Sequence, residues 1–199
     1  MPWIPLAALF TVVALVLVWA FRFDAARRAA CRDAWRSFAG SRGLEWIASS
    51  GPWYRRDPDA VEGQVDGVRV RLDTFVVSTG KSHTVYTRVR SPLARPFPGK
   101  LALGRRSFLT TVAEKLGVRS IPTGDRSFDE RMVLRAKDGD AARQLVGEGV
   151  RSRARELDRR ATIRVAGDEA KITWRGRETD PSALDAACRL AAALSRSWS

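Results

Sequence analysis

Hydrophobic positions are distributed unevenly along this chain, and the first 21 residues form an uncharged, almost wholly apolar block. Within it, residues 3–21 are apolar apart from Pro5 and Thr11. As a helix that rises about 1.5 Å per residue, this stretch would span roughly 28 Å, close to the ~30 Å hydrocarbon core of a bilayer. The pattern therefore predicts one N-terminal transmembrane helix, with residues 1–23 as the anchor.

Two other interpretations of this block are a cleaved signal peptide and a buried core helix. Signal peptides begin with a positive segment, have a shorter apolar core and carry small residues at the cleavage site. Here no charge precedes Arg22, and the apolar run is long. Trp3 and Trp19 lie near its two ends, as aromatic residues at membrane interfaces do. These features favour the anchor.

The charges that flank the apolar block predict its orientation. No lysine or arginine precedes it, whereas five arginines follow it: Arg22, Arg27, Arg28, Arg32 and Arg36. Because positive flanks stay on the cytoplasmic side, the N-terminus is predicted outside and the rest inside the inner (cytoplasmic) membrane of a bacterium. The two cysteines, Cys31 and Cys188, suit a reducing compartment, although the sequence leaves a single disulfide open.

Beyond the anchor, the hydrophobic period becomes helical and then alternates as in strands. Residues 24–43 are predicted as a juxtamembrane helix with Cys31, Trp35 and Phe38 on one stripe, and Gly43 as its end. This helix either docks on the following domain or continues as a stalk. Residues 61–65 and 68–72 then alternate around Asp66 and Gly67, which is a strong signal for a β-hairpin.

The remaining segments predict further hairpins and helices. Residues 84–90 are predicted as a third strand, and residues 91–100, with three prolines, as a loop. The other predicted elements are a helix at 107–116, a strand at 128–136, a helix at 141–159 weakened by Gly147 and Gly149, a second hairpin turning at 166–169, and a helix begun by Asp180 and Pro181. Residues 44–199 are therefore predicted as one soluble α+β domain whose mainly antiparallel sheet is built from hairpins with packed helices.

The charge of the chain is strongly positive. There are 35 basic and 22 acidic residues, a net charge of +13, and the basic residues are 30 arginines and 5 lysines. Such a charge suits nucleic acid, the anionic membrane surface or simple solvation. The arginines are spread along the chain and follow the bias of a GC-rich genome, so nucleic acid is the disfavoured partner. The lipid bilayer is the predicted partner, with the anionic membrane surface or a membrane protein as further candidates.

One segment resembles part of a phosphate-binding loop. Thr79-Gly80-Lys81-Ser82 matches the end of that motif, but Phe75 stands where the leading glycine is needed, and a strand-like run follows instead of a helix. A hairpin turn is the prediction, and no cofactor is expected. His83 is the only histidine, so a His-x-x-x-His zinc pair is absent from the sequence and any Ser-His-Asp triad would have to use His83. No metal ligand and no catalytic residue is predicted.

The best place to look for a site is the acidic group Asp125, Asp129 and Glu130. Paired carboxylates can perform acid–base chemistry or hold a cation. The arginines interleaved with them instead favour an exposed ladder of charges on a strand. A basic segment is the second speculative interaction site, and its residues are Arg151, Arg153, Arg155, Arg159 and Arg160.

Several turn-and-strand segments carry a family resemblance. They are Val61-Glu62-Gly63-Gln64-Val65-Asp66-Gly67-Val68, Thr74-Phe75-Val76-Val77-Ser78-Thr79-Gly80-Lys81 and Gly124-Asp125-Arg126-Ser127-Phe128-Asp129-Glu130-Arg131-Met132-Val133, with the later hairpin and helix. Together they resemble an uncharacterised bacterial membrane-anchored domain family of unknown function. The resemblance covers residues 44–199 and implies one compact domain behind an anchor, without any activity, cofactor or catalytic residue.

The leading functional hypothesis is a single-pass membrane protein whose cytoplasmic α+β domain is non-enzymatic and binds a partner. The first alternative is a membrane-tethered enzyme that uses the carboxylates Asp125, Asp129 and Glu130. The second is a membrane-tethered nucleic-acid binder that uses the basic segment at residues 151–160.

Overall fold

The structure, a computed structural model, describes residues 3–50, 58–80, 82–105, 120–157 and 161–199, with side chains from residue 12 onward. The helices in this part are α1 (Trp3–Arg42), α2 (Arg126–Asp129), α3 (Gly139–Leu145), α4 (Glu148–Glu156) and α5 (Pro181–Ser197). The strands are β1 (Glu45–Ile47), β2 (Ala60–Val65), β3 (Val68–Thr79), β4 (Ser82–Arg105), β5 (Ser120–Ile121), β6 (Met132–Ala136) and β7 (Thr162–Arg175).

All seven of these strands belong to one sheet, and every ladder between them is antiparallel. The order is β1-β2-β3-β4-β6-β5, and β7 also pairs with β4. Strand β4 is central to the sheet, because its first half pairs with β3, its last five residues pair with β6, and most of its length pairs with β7. The predicted α+β class with a mainly antiparallel sheet and packed helices is confirmed.

Helix α5 covers the inner face of this sheet. Asp180 caps its first turn by accepting a hydrogen bond from the backbone N–H of Ser182, and Pro181 occupies its first position, as predicted. The apolar stripe of this helix is buried along its whole length: Leu184, Ala187, Ala191, Leu194 and Trp198. The inward residues of the strands, such as Leu72, Val89 and Ile172, complete the core.

The turn between β2 and β3 has the conformation that its sequence predicts. Val65 pairs with Val68, so Asp66 and Gly67 form a two-residue turn, with φ of 50° and 78°. Positive φ at both central positions is what a type I′ turn requires. A Cβ at Gly67 would meet no heavy atom within 4 Å, so the backbone conformation, and not crowding, demands glycine there.

Replacing Gly67 by valine should therefore destabilise the domain by about 1–3 kcal/mol, because a β-branched residue is strained at positive φ. Thermal unfolding of the full-length chain in detergent micelles measures this loss. Gly40→Val is the matched control, since Gly40 also has open space around its Cβ position but lies in helix α1 without a positive φ. Equal thermal unfolding midpoints for Gly67→Val and Gly40→Val would contradict a positive φ requirement at Gly67.

Two predicted loops are parts of long strands. The proposed loop at 91–100 lies within β4, and the proposed hairpin at 166–169 is wrong, because β7 runs as a single strand from Thr162 to Arg175 along β4. Bulges between Pro92, Phe97 and Lys100 accommodate the prolines and the positive φ of Gly167. In this region β4 pairs with β7, which is more than 60 residues away in sequence. Local turn signals do not indicate such pairing, so they predicted loops where the chain forms strands.

The segment around the acidic group also differs from its prediction. Residues 126–129 form the short helix α2, and strand β6 begins at Met132, so the predicted ladder on a strand is wrong. The predicted weakness of the next helix is confirmed, since α3 ends at Leu145 and α4 begins at Glu148. The predicted helix at 107–116 and Lys81 lie outside the described residues.

Helix α1 is continuous from Trp3 to Arg42, and Gly43 with a φ of 64° follows it. Cys31, Trp35, Phe38 and Ala39 are buried, so the juxtamembrane part docks on the domain. In the part of the chain that the structure describes, no helix has the length and hydrophobicity that a membrane span requires. The predicted anchor includes residues 1–2 and the side chains of residues 3–11, which lie outside that part, so it stays a prediction.

Candidate functional site

A concave surface lies where the end of α1, helix α5 and the turn between β2 and β3 meet. It consists of two adjoining cavities of about 320 and 410 Å³ that share Phe38, Arg42, Asp185 and Arg189. We call the first the arginine groove. Its apolar lining is Phe38, Leu44, Val65 and Cys188, and its charged lining is Arg42, Arg153, Arg189, Asp66 and Asp185.

Each carboxylate of the arginine groove is shared by two arginines. Asp185 accepts from Arg189, one helical turn further along α5, and forms an ion pair of 2.8 Å with Arg42 at the end of α1. Asp66 pairs with Arg196 at 2.9 Å and with Arg153 at 3.7 Å. Four guanidinium groups thus surround two carboxylates, which leaves a local excess of positive charge.

The thiol in the arginine groove is not an activated nucleophile. Burial raises the pKa of Cys188 to about 12, and the nearby Asp185 carboxylate raises it further than Arg42 lowers it. Cys31 behaves similarly, since burial raises its pKa to about 11. A thiol needs a lowered pKa to react at neutral pH, so both buried cysteines are packing residues.

The chemistry available in the arginine groove is therefore anion binding. A guanidinium carries five N–H donors, and one shared carboxylate oxygen does not satisfy them all. An added carboxylate or phosphate would accept charge-assisted hydrogen bonds from the arginines. The rest of such a ligand could contact the partly exposed apolar side chains of Leu44 and Val65. Glu156 lines the second cavity and would repel an anion there. The potential that attracts an anion is therefore stronger in the first cavity, which Arg153 lines.

The structure places the three predicted carboxylates in three different roles. Asp125 caps α2 by accepting from the backbone N–H of Phe128, and it pairs with Arg155 at 2.5 Å. Asp129 accepts from the backbone N–H and the hydroxyl of Thr123, at 3.0 and 2.8 Å. Glu130 pairs with Arg126 at 3.2 Å on the surface. The group therefore does not form one site.

Hydrogen bonding keeps the pKa of Asp125 below its usual range. The main cause is the Phe128 backbone N–H, followed by the Ser127 hydroxyl, with further lowering by Arg155. A general acid at neutral pH needs a raised pKa. None of these carboxylates lines either cavity of the candidate site.

The predicted basic segment is divided between these regions. Arg151 and Arg155 pair with Asp125, at 3.6 and 2.5 Å, whereas Arg153 faces Asp66 in the arginine groove. Arg159 and Arg160 lie outside the described residues. The three described arginines therefore tie α4 to its neighbours and do not present one continuous basic face.

Two further predictions concern the turn between β3 and β4. Thr79 pairs with Ser82, and Gly80 has a φ of 58°, so the hairpin turn is confirmed. His83 is exposed, and its Nδ1 lies 2.7 Å from the Ser78 hydroxyl. Among the described residues, no group of three or more His, Cys, Asp or Glu side chains is arranged to hold a metal ion.

Sequence reasoning missed most of the arginine groove. The sequence indicates Asp66 only as a turn residue, and Arg42 only as one residue of the helix predicted at 24–43. The spacing of Asp185 and Arg189, four residues apart on α5, was an available signal for an ion pair. The pairs that complete the groove join residues more than 80 positions apart, and no local pattern indicates them.

No protein-family model matches this chain, and no curated protein matches it in sequence. Its fold is similar to the crystal structure of the mycobacterial trehalose monomycolate transport factor A, TtfA, with a TM-score of 0.55 and 16% sequence identity. The similarity covers 86% of this chain and 95% of that one. At this identity the comparison shows a shared fold.

Proposed function

We propose that this chain is a single-pass membrane protein whose cytoplasmic α+β domain is a non-enzymatic binding module for lipid transport. In this proposal residues 1–23 anchor it in the bacterial inner membrane with the N-terminus outside. The partner is a membrane protein or the anionic membrane surface, which the domain holds through the arginine groove.

The observation that carries this proposal is that the C-terminal part of helix α1 is buried in the domain, whereas its N-terminal part is apolar and exposed. Its last turns are buried in the domain, with Trp35 only 1% exposed. Its earlier part exposes large apolar side chains, with Trp19 at 67% and Phe21 at 71%. Such a row of apolar side chains in water is unfavourable, and a bilayer would cover it. One continuous helix would then fix the domain to its anchor.

The lipid-transport part of the proposal comes from the shared fold. TtfA is a trehalose monomycolate transport factor, and its chain is almost entirely covered by the similarity. Fold alone does not determine function. We extend the role to this chain because an anchored domain that offers an arginine-lined groove suits a factor that binds a membrane partner.

The enzyme alternative is less well supported. An acid–base mechanism needs carboxylates that converge on a cavity with a raised pKa, whereas Asp125 has a lowered pKa and lies in an ion pair. The nucleic-acid alternative needs a continuous basic groove, and the described arginines of α4 pair with Asp125 and Asp66 instead.

The full-length chain should stay with the membrane pellet after alkaline carbonate extraction, because carbonate releases proteins held by ionic contacts and does not extract an apolar helix from the bilayer.

A reporter enzyme that is active only outside the inner membrane should be inactive when it is fused after Ser199, because the arginines that follow the apolar block hold the domain inside.

Deletion of residues 1–23 is the control for both measurements and should release the protein into the supernatant. Release of the full-length chain by carbonate would contradict the anchor. A strongly active reporter on a chain that remains in the pellet would contradict the orientation alone.

Binding through the arginine groove predicts a loss of affinity for acidic peptides when its cations are removed. Arg42→Gln with Arg189→Gln should weaken binding of a labelled oligo-glutamate peptide about fivefold or more, measured by fluorescence anisotropy on the full chain in micelles. The control is Arg126→Gln with Arg143→Gln, which removes the same charge from exposed pairs outside the groove. Equal weakening by both double variants would mean that only net charge matters.

A further inference from the structure

The hairpin of β3 and β4 extends beyond the rest of the sheet. Strand β2 pairs with β3 only as far as Asp73, and β7 pairs with β4 only as far as Thr87. Residues 75–79 of β3 and 82–86 of β4 continue as a two-stranded ribbon, which we call the arm. Apart from one bridge between Tyr86 and Gly176, no other described strand borders it.

The arm carries apolar side chains that the domain does not cover. Val76 is 57% exposed and Val77 is 39% exposed. As neighbours on a strand they point to opposite faces, so both faces of the arm are open. Phe75 and Tyr86 stack at its base with ring centroids 5.3 Å apart. An isolated two-stranded ribbon is marginally stable in water, and exposed valines add to its cost.

The base of the arm lies beside the point where α1 leaves the domain. The backbone N–H of Gly176 donates to Val85 at 2.8 Å, which ties the end of β7 to the arm. The next residue, Arg177, pairs with Asp24 of α1 at 3.2 Å. Asp24 lies only three positions after Phe21, where the apolar block of α1 ends.

The direction of α1 confirms that both elements leave from the same end. Arg42 lies with Asp66 and the turn between β2 and β3, at the start of β3. Trp35 hydrogen-bonds the carbonyl of Glu178, whose own N–H is held by Thr87 at the base of the arm. Helix α1 therefore runs antiparallel to β3, so the N-terminal part of α1 and the arm lie toward the same end of the domain.

The geometry points to the arm as a second membrane contact, whose valines enter the interface of the bilayer that holds α1. This inference rests on the proposed anchor. The arm extends about 13 Å past the bridge at Tyr86, at roughly 3.3 Å per residue, on the side where the apolar part of α1 continues. A lipid interface is the occupant that fits, because it would cover both open faces of the ribbon, whereas an added strand would cover only one edge.

Two contacts would fix the orientation of the domain, whereas one helix would leave it free to tilt. Once α1 is inserted, the arm contacts the bilayer at a high effective concentration, so weak apolar contacts suffice. The arginine groove lies near Arg42, about 27 Å along α1 from Asp24, and would be held away from the membrane surface. Of the two partners proposed above, the arginine groove would then face a membrane protein, because the anionic membrane surface would lie out of its reach.

Site-specific labelling of the full-length chain in liposomes tests this inference. Val76→Cys and Val77→Cys would each carry an environment-sensitive fluorophore, and the native Cys31 and Cys188 are buried and stay unlabelled. The liposomes contain phosphatidylethanolamine and phosphatidylglycerol with a nitroxide on the acyl chain. The control is Asp140→Cys, because Asp140 is 93% exposed and lies beyond β6, which pairs with the opposite end of β4.

We expect the arm fluorophores to shift to the blue and to be quenched at least about twofold more than the control fluorophore. Quenching equal to that of the control, in protein that floats with the liposomes, would overturn the inference and leave the anchor standing. Failure of the unlabelled protein to float would overturn the anchor and the arm contact together.

Discussion

Replacing Asp73 by alanine is expected to destabilise the domain by about 3–5 kcal/mol, because it removes the anionic centre of a partly buried ion network. The Asp73 side chain is 2% exposed. It accepts two hydrogen bonds from Arg88, at 2.8 and 3.0 Å, and one from Arg90 at 2.7 Å. Arg71 approaches the same carboxylate at 3.4 Å. Without Asp73, these cations would repel one another.

The network explains how the outer face of the sheet tolerates its positive charge. Asp73 and Arg88 are opposite each other in the register of β3 and β4, and Arg71 faces Arg90. Like charges directly opposite on neighbouring strands are destabilising, and a shared carboxylate offsets that repulsion. Glu62, whose pKa is lowered chiefly by its hydrogen bond from Arg69 and also by Arg71, extends the compensation to β2.

Urea unfolding of the full-length chain in micelles measures the effect of Asp73→Ala, which should also lower the thermal midpoint by roughly 10 °C. Glu169→Ala is the matched control, since Glu169 pairs with Arg90 and Lys171 on the same face but is 27% exposed. Partly exposed pairs contribute about 1 kcal/mol or less. A loss for Asp73→Ala no larger than that of Glu169→Ala would show that the carboxylate is not the centre.

Local chemistry made the turns and caps of this fold predictable. Asp66 with Gly67, and Asp180 with Pro181, act through their own backbone preferences, and the structure places both as the sequence indicates. The path of β7 was not predictable in this way. Gly167 carries a turn signal, but it lies within β7, where it pairs with Phe97 between two bulges of β4. Long-range pairing overrides a local preference when it satisfies a whole row of backbone groups.

The candidate site was harder to predict than the fold. The carboxylates that the sequence singled out, such as Asp125, stand beside arginines for local reasons of capping and pairing. The arginine groove instead joins Arg42, Asp185 and Asp66, which only the packing of α1 and α5 against the β2–β3 turn brings together. Charge composition indicated that arginines would be abundant, but not which of them would converge.

Replacing Trp35 by alanine is expected to cost about 3–5 kcal/mol and to loosen α1 from the domain. Trp35 is 1% exposed, and its indole N–H donates to the carbonyl of Glu178 at 2.8 Å. The carbonyl of Glu178 also receives the weak thiol contact of Cys31, so it attaches α1 to the segment after β7 at a second place besides the Arg177–Asp24 pair. The truncation would leave a cavity and a carbonyl whose one remaining contact among these two is the weak one with the Cys31 thiol.

Limited trypsin digestion of the full-length chain in micelles detects this loosening, because a docked helix protects the arginines of α1 and an undocked helix exposes them. The cleavage rate of Trp35→Phe should lie between those of the wild type and Trp35→Ala. Phenylalanine keeps an aromatic ring but lacks the N–H donor, whose hydrogen bond contributes about 1 kcal/mol. Trp19→Ala is the control, because Trp19 is 67% exposed and makes no contact that docks α1 on the domain. Cleavage of Trp35→Ala at the wild-type rate would mean that α1 stays docked without its tryptophan. The rigid link between the anchor and the arginine groove would then have to depend on Phe38 and Ala39, the next buried residues along the helix.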